Sequence, residues 1–150
     1  MTSSHPSVAG PAALPRALPE LLSQVAHQVS RRVEAALGPD GPTLDQWRVL
    51  ALLTDGAGHP MTEIASHARV PAPTLTKIVD RLVDRALVYR RVDEVDRRRV
   101  LVFLSEHGRT THERLTPAVA GIGHALMDEL GSHDAHRLVE LLGRLRELPR

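Results

Sequence analysis

The spacing of apolar side chains decides most of what this chain can become. From Leu14 to Leu148 they recur three and four residues apart, with one interruption between Leu87 and Leu104. A period of 3.6 residues gives each helix one face to bury, whereas two short β-branched runs around a charged stretch pair as a hairpin. The sequence therefore predicts a mainly α fold carrying a small β-hairpin.

Leu14, Leu18, Leu21, Leu22, Val25, Val29, Val33 and Leu37 share one face of a long first helix, with Pro15 and Pro19 tolerable only near its start. Gly38, Pro39, Gly41 and Pro42 end it. Thr43, with Gln46 three residues on, fits a capping box for a helix faced by Leu44, Trp47, Leu50 and Leu53. Pro60 opens a short third helix carrying Ile64, Ala65 and Ala68. The period resumes at Leu75, Ile78, Val79 and Leu82, predicting a helix over 73–86 with Pro73 at its first position. The hairpin runs are 87–92 and 100–104. Ser105 then caps a long helix lined by Leu115, Val119, Ile122, Leu126 and Leu130, in which Pro117 removes a hydrogen bond and is expected to cause a kink. Ser132 starts a last helix with Leu138, Leu141, Leu142, Leu145 and Leu148. Residues 1–12, built from Ser, Pro, Gly and Ala without a period, read as a disordered tail.

Composition removes several classes of function. One Phe, one Trp and one Tyr in 150 residues leave the core to aliphatic side chains and offer no stacking platform for single-stranded nucleic acid. The absence of cysteine excludes disulfides, thiol switches, Cys-ligated zinc and Cys nucleophiles. No apolar run approaches the ~20 residues of a membrane span, and no signal-like leader opens the chain, so a soluble cytoplasmic protein with no membrane partner is expected. No GxSxG, HExxH, P-loop or dinucleotide fingerprint is present, and the reading is not that of an enzyme. His107 and His112 do not share a helix face, and His133 with His136 is a weak ligand pair, so neither a metal nor another cofactor is assigned.

Charge is distributed unevenly. Residues 69–99 hold nine basic side chains against five acidic ones, a balance of +4, while the remainder carries −3. A basic segment on a mildly acidic chain is the footprint of phosphate binding. Arginine supplies all but one of the basic residues, a bias that GC-rich coding explains equally well. The segment also contains two short helices joined by a tight turn and followed by the hairpin. Ala65, Val70, Leu75 and Ile78 have the small and apolar positions that a helix-turn-helix requires, leaving the outer face of the second helix free for a major groove.

These residues resemble the MarR family of winged helix-turn-helix transcription regulators. The likeness runs through LDQWRVLALL over 44–53, TEIA over 62–65, TLTKIVDRLVDRALVYR over 74–90, DRR over 96–98 and LSEHGR over 104–109, within an order of elements that spans 14–148. The resemblance implies a winged helix-turn-helix DNA-binding region over 44–104 and a helical dimerisation region over 13–43 and 105–150. It also implies a homodimer on a pseudo-palindromic operator of double-stranded DNA, a repressor by steric occlusion, and release by a small-molecule ligand. On the second helix of the motif, Thr74, Thr76, Lys77 and Arg81 face the groove. In the wing, the resemblance carries Arg98 to the minor groove, with Asp96 orienting it through an ion pair, while Arg90, Arg91, Arg97 and Arg99 hold phosphates or flank the strands. Arg81 could equally pair with Asp80, Asp84 or Asp96.

The chain departs from the family where Ala72 stands in place of a capping Ser, Thr or Asp, and where Arg69 and Ala86 stand at frequent glycine positions. The family's ligand pocket falls near His27, Arg31, Trp47, Arg48 and His112, a set able to hold a small aromatic anion as effector. The other reading of this set is a core Trp47 with solvated neighbours. The competing function is a winged-helix interaction module whose basic hairpin meets an acidic protein.

Overall fold

The computed structural model describes residues 13–149, so the tail expected over 1–12 lies outside the described residues. Six helices and three strands follow in the order α1 (Leu14–Leu37), α2 (Leu44–Leu52), β1 (His59–Pro60), α3 (Met61–Ala68), α4 (Ala72–Asp84), β2 (Val88–Val92), β3 (Val100–Leu104), α5 (Glu106–Leu130) and α6 (Ser132–Arg146). A short 3-10 turn over Leu53–Asp55 extends α2.

The expected start signals operate at two helices. Thr43 accepts from the Gln46 N–H at 3.2 Å and the Gln46 side chain accepts from the Thr43 N–H at 3.1 Å, closing the capping box of α2. Ser105 accepts from the Gly108 N–H at 2.9 Å at the start of α5. α5 runs unbroken through Pro117, which removes one donor without ending the helix. The boundaries of α4 differ from expectation: it begins at Ala72, places Pro73 second, and stops at Asp84. Pro71, in extended backbone, is its N-cap and supplies no side-chain acceptor, so the cap that Ala72 was expected to lack belongs one residue earlier. Pro60 likewise stands before α3 as its N-cap.

The hairpin gains a third strand that periodicity could not reveal. β1 is two residues long and pairs antiparallel with β3, His59 opposite Val102 and Pro60 opposite Leu101, giving the order β1-β3-β2. β2 and β3 pair along their length from Val88 opposite Leu104 to Val92 opposite Val100.

Two apolar clusters organise the chain. The larger joins Val49, Leu50 and Leu53 of α2 and its extension, Ile64 and Ala68 of α3, Leu75, Ile78, Val79 and Leu82 of α4, and Leu87, Val88, Val102 and Leu104 of the sheet region. The smaller, Leu37, Trp47 and Leu115 with Val33 and Val119 against them, holds α1, α2 and α5 together. Outside them, Leu18, Leu21, Leu22 and Val25 of α1 and Leu138, Val139, Leu141 and Leu142 of α6 remain exposed. α6 buries only Ala135.

Candidate nucleic-acid interface

The turn between α3 and α4 is built on Arg69, which adopts φ 57 and ψ 43 and ends α3 in the left-handed region. Its neighbour Val70 donates to the Ala65 carbonyl at 3.2 Å, so the chain reverses tightly and α4 packs across α3. Leu75, Ile78, Val79 and Leu82 occupy the buried face of α4. Thr74, Thr76, Lys77 and Arg81 are exposed on the opposite side, as the sequence expected. The Thr76 hydroxyl donates to the Ala72 carbonyl at 3.1 Å. Among the described residues Arg81 joins no ion pair with Asp80, Asp84 or Asp96.

Asp80 instead holds Arg90 of β2, Nη2 to Oδ1 at 2.6 Å. This contact ties the wing to α4 and partly engages a side chain expected to face phosphate. Arg91 lies over the Phe103 ring at 4.5 Å, and Tyr89 stacks on the same ring across the strands at 5.5 Å. Gly58 makes room for that ring: a Cβ there would stand 2.3 Å from it.

The wing turn is set by two aspartates acting on the backbone. Asp93 accepts from the Val95 N–H and Asp96 from the Arg98 N–H, both at 3.0 Å, while the Asp93 N–H meets the Arg99 carbonyl and the Arg99 N–H meets the Asp96 carbonyl, both at 2.9 Å. Asp96 was expected to orient Arg98 through an ion pair. It fixes the Arg98 backbone instead, because a carboxylate two residues upstream reaches that N–H more readily than a long, mobile guanidinium. Arg97, Arg98 and Arg99 are exposed, and none of them forms an ion pair among the described residues.

Of the expected ligand set, the structure brings two residues together. Trp47 and His112 stack with centroids 4.4 Å apart and planes 12° from parallel. Burial holds the His112 pKa below its ordinary value, opposed by the Glu113 charge and helped by that of Arg109. Arg48 pairs with Asp45 at 3.0 Å on the surface, and His27 and Arg31 are exposed on α1. Trp47 itself belongs to the smaller core cluster.

Sequence reasoning missed one polar cluster. His59 in β1 bridges Asp55, Nε2 to Oδ2 at 2.7 Å, and Glu63, Nδ1 to Oε2 at 2.9 Å. Both carboxylates only accept, so the ring that satisfies both is the imidazolium. Burial works against that charge, yet the hydrogen bonds from Glu63 and Asp55 and their negative charges prevail and the His59 pKa is raised. Asp55 is lowered, first by the Ala57 N–H and then by His59, against some desolvation. The four-residue spacings of Asp55, His59 and Glu63 were visible in the sequence; the strand that places His59 between them was not. Among the described residues no group of three or more His, Asp or Glu is arranged to hold a metal, and no helix is long and apolar enough to cross a membrane.

Comparison with known proteins places this geometry. The MarR family profile matches residues 40–99. The HTH-type transcriptional regulator FarR of Neisseria gonorrhoeae is 30% identical over 106 residues, 71% of this chain and 73% of that protein. Among solved structures, the transcriptional repressor CouR of Rhodococcus jostii RHA1, bound to a 23-mer DNA duplex, superposes with a TM-score of 0.82 at 27% identity, covering 94% of this chain and 100% of that one. A mutant MarR of E. coli complexed with operator DNA gives a TM-score of 0.80 at 26% identity, again over 94% of this chain and 100% of that one.

Proposed function

This chain belongs to the MarR family of transcription regulators and is not an enzyme, and on that premise we propose that it is a homodimeric repressor of a pseudo-palindromic duplex operator, released by a small aromatic or anionic ligand. Residues 44–104 form the DNA-binding part and 13–43 with 105–150 the dimerisation part. The observation that carries the reading is a single lobe in which Thr74, Thr76, Lys77 and Arg81 line the exposed face of α4 beside a pinned wing whose Arg97, Arg98 and Arg99 form no ion pair among the described residues. Such a helix suits a major groove, and such a wing suits phosphates or a minor groove.

The dimer is supported by what the single chain leaves uncovered. An apolar groove of about 450 Å³ between α1 and α6 is lined by Leu18, Leu22, Leu138, Leu142 and Leu145. A second copy related by a two-fold axis would bury that face against itself. For the ligand, the His112 ring stacked on Trp47 at the meeting of α1, α2 and α5 offers an aromatic wall, with Arg31 and His27 on α1 as candidate partners for a carboxylate. A regulator working on the chromosome in this way acts in the cytoplasm.

Selection of random duplexes with the purified protein tests the function. The expected result is an enriched inverted repeat bound with strong inverse salt dependence, and an Arg98→Ala variant weakened by roughly tenfold or more. No enrichment at any salt concentration, with the protein shown free of ligand, would sink the reading and favour an acidic protein partner for the wing.

A further inference from the structure

Arg85 is counted in the basic segment, yet at the surface its guanidinium is engaged by the chain's own backbone. It is the residue that ends α4, its N–H donating to the Arg81 and Val83 carbonyls. Its guanidinium reaches 44 and 45 positions back, Nη2 donating to the Asp40 carbonyl at 2.8 Å and Nη1 to the Gly41 carbonyl at 3.3 Å. Two consecutive carbonyls met by one planar fork define an orientation, which a single ammonium would not.

The loop that receives this fork is stiff. It runs from Gly38, which ends α1 at φ 81, to the capping Thr43 of α2, with Pro39 and Pro42 limiting its backbone. Gly41 donates to the Gly38 carbonyl at 3.2 Å and sits so close to the end of α1 that a Cβ would stand 1.9 Å from the Leu37 carbonyl. Leu37 in turn is buried against Trp47 and Leu115. On its other side the turn that follows α4 is held by the N-cap of α5: the Ser105 hydroxyl donates to the Ala86 carbonyl at 2.6 Å, and the Ser105 N–H to the Leu87 carbonyl at 3.0 Å.

We infer that Arg85 is a positioning residue for DNA recognition, locking the end of the recognition helix to the α1–α2 loop and so setting the angle at which α4 is presented from the long helices. The inference rests on the proposed operator-binding role of α4. α4 has 13 residues and is about 20 Å long, so a tilt of about 10° about its anchored end displaces Thr74 by roughly 3 Å, the length of a hydrogen bond. Freeing the anchor therefore blurs where the groove-facing side chains land without removing any of them.

Two measurements test it on the full-length protein, comparing wild type with Arg85→Gln and Arg85→Lys. The first is hydrogen exchange without DNA. Arg85→Gln should raise exchange in 38–43 and in 82–87 together, with Arg85→Lys between it and wild type; unchanged exchange in 38–43 overturns the inference. The second is affinity for the selected repeat with its half-site separation altered by one base pair either way. Wild type should discriminate sharply between spacings, and Arg85→Gln should lose roughly tenfold of that discrimination with its salt slope unchanged. An equal loss at every spacing with a reduced salt slope makes Arg85 a phosphate contact and overturns the inference. If wild type selects no repeat, the operator reading fails by itself, and the exchange data still decide whether the anchor couples loop to helix.

Discussion

Replacing Ala86 with glycine should stabilise this protein. Ala86 follows α4 at φ 55, donating to the Val83 carbonyl at 2.8 Å, while Leu87 donates to the Leu82 carbonyl at 2.9 Å. This is a Schellman ending with Leu82 and Leu87 both buried, and it needs a left-handed residue between helix and strand. Alanine in that region costs ~1–2 kcal/mol through its Cβ. Glycine removes that cost but brings a more disordered unfolded chain, worth ~0.4–1 kcal/mol against it. The net is a stabilisation of roughly 0.5–1 kcal/mol, which for a chain of this size raises the melting temperature by roughly 1–4 °C. Thermal unfolding followed by circular dichroism at one fixed protein concentration reads it, because self-association would make the midpoint concentration-dependent. Ala86→Val serves as the opposite control, since a β-branched residue tolerates positive φ least. A glycine variant melting at or below wild type, or a valine variant melting with it, refutes the argument from backbone strain.

Gly108→Ala should destabilise by about 1–3 kcal/mol, because a Cβ there stands 2.0 Å from the Leu87 carbonyl and α5 must move off the α4–β2 turn; a wild-type denaturant midpoint would contradict this packing. Leu75→Ala, at a fully buried position of α4, should cost about 2–5 kcal/mol in the same titration. For His59 the folded pKa is raised, so its contribution to stability is fully present below the unfolded value of about 6.5 and is lost as pH rises through the folded pKa. The stability difference between wild type and His59→Gln should therefore shrink from pH 6 towards pH 9, and a difference that stays flat or grows removes the imidazolium bridge. His112, lowered by burial, has the opposite sign and cancels in that comparison. Lys77→Ala, which removes one lysine from each half of the proposed dimer, should flatten the salt dependence of duplex binding by about two phosphates' worth, ~1.8 in log–log slope; an unchanged slope places Lys77 away from the backbone.

Much of this architecture was legible because it rests on local rules. The apolar period located all six helices, Thr43 and Ser105 announced two starts, and the change of period at Leu87 located the hairpin. The family likeness identified Arg69 and Ala86 as residues forced into glycine-like turns, and both have positive φ. What escaped depends on long-range pairing. A two-residue strand at His59–Pro60 has no period to detect, and it exists only because β3 offers an unpaired edge. Arg85 and Arg90 looked like members of one basic patch, since sequence counts charges but does not show that one finds backbone carbonyls in the α1–α2 loop and the other finds Asp80. Asp96 stands in the expected turn but meets the Arg98 N–H rather than its guanidinium, because the backbone donor two residues on is the nearer one.

The strand order has a consequence for the molecule in concentrated solution. With β3 in the middle, β1 and β2 are the two rims of the sheet, and a bare rim is a template on which another chain can add a strand. One rim is only two residues long and ends in Pro60, which has no N–H to offer. The other would be a five-residue ribbon of Val88, Tyr89 and Val92 were it not for Arg90 and Arg91 at its centre. Charged side chains on such a rim disfavour strand addition whether or not nucleic acid is near, and neutralising both arginines is expected to lower solubility even where α4 is untouched.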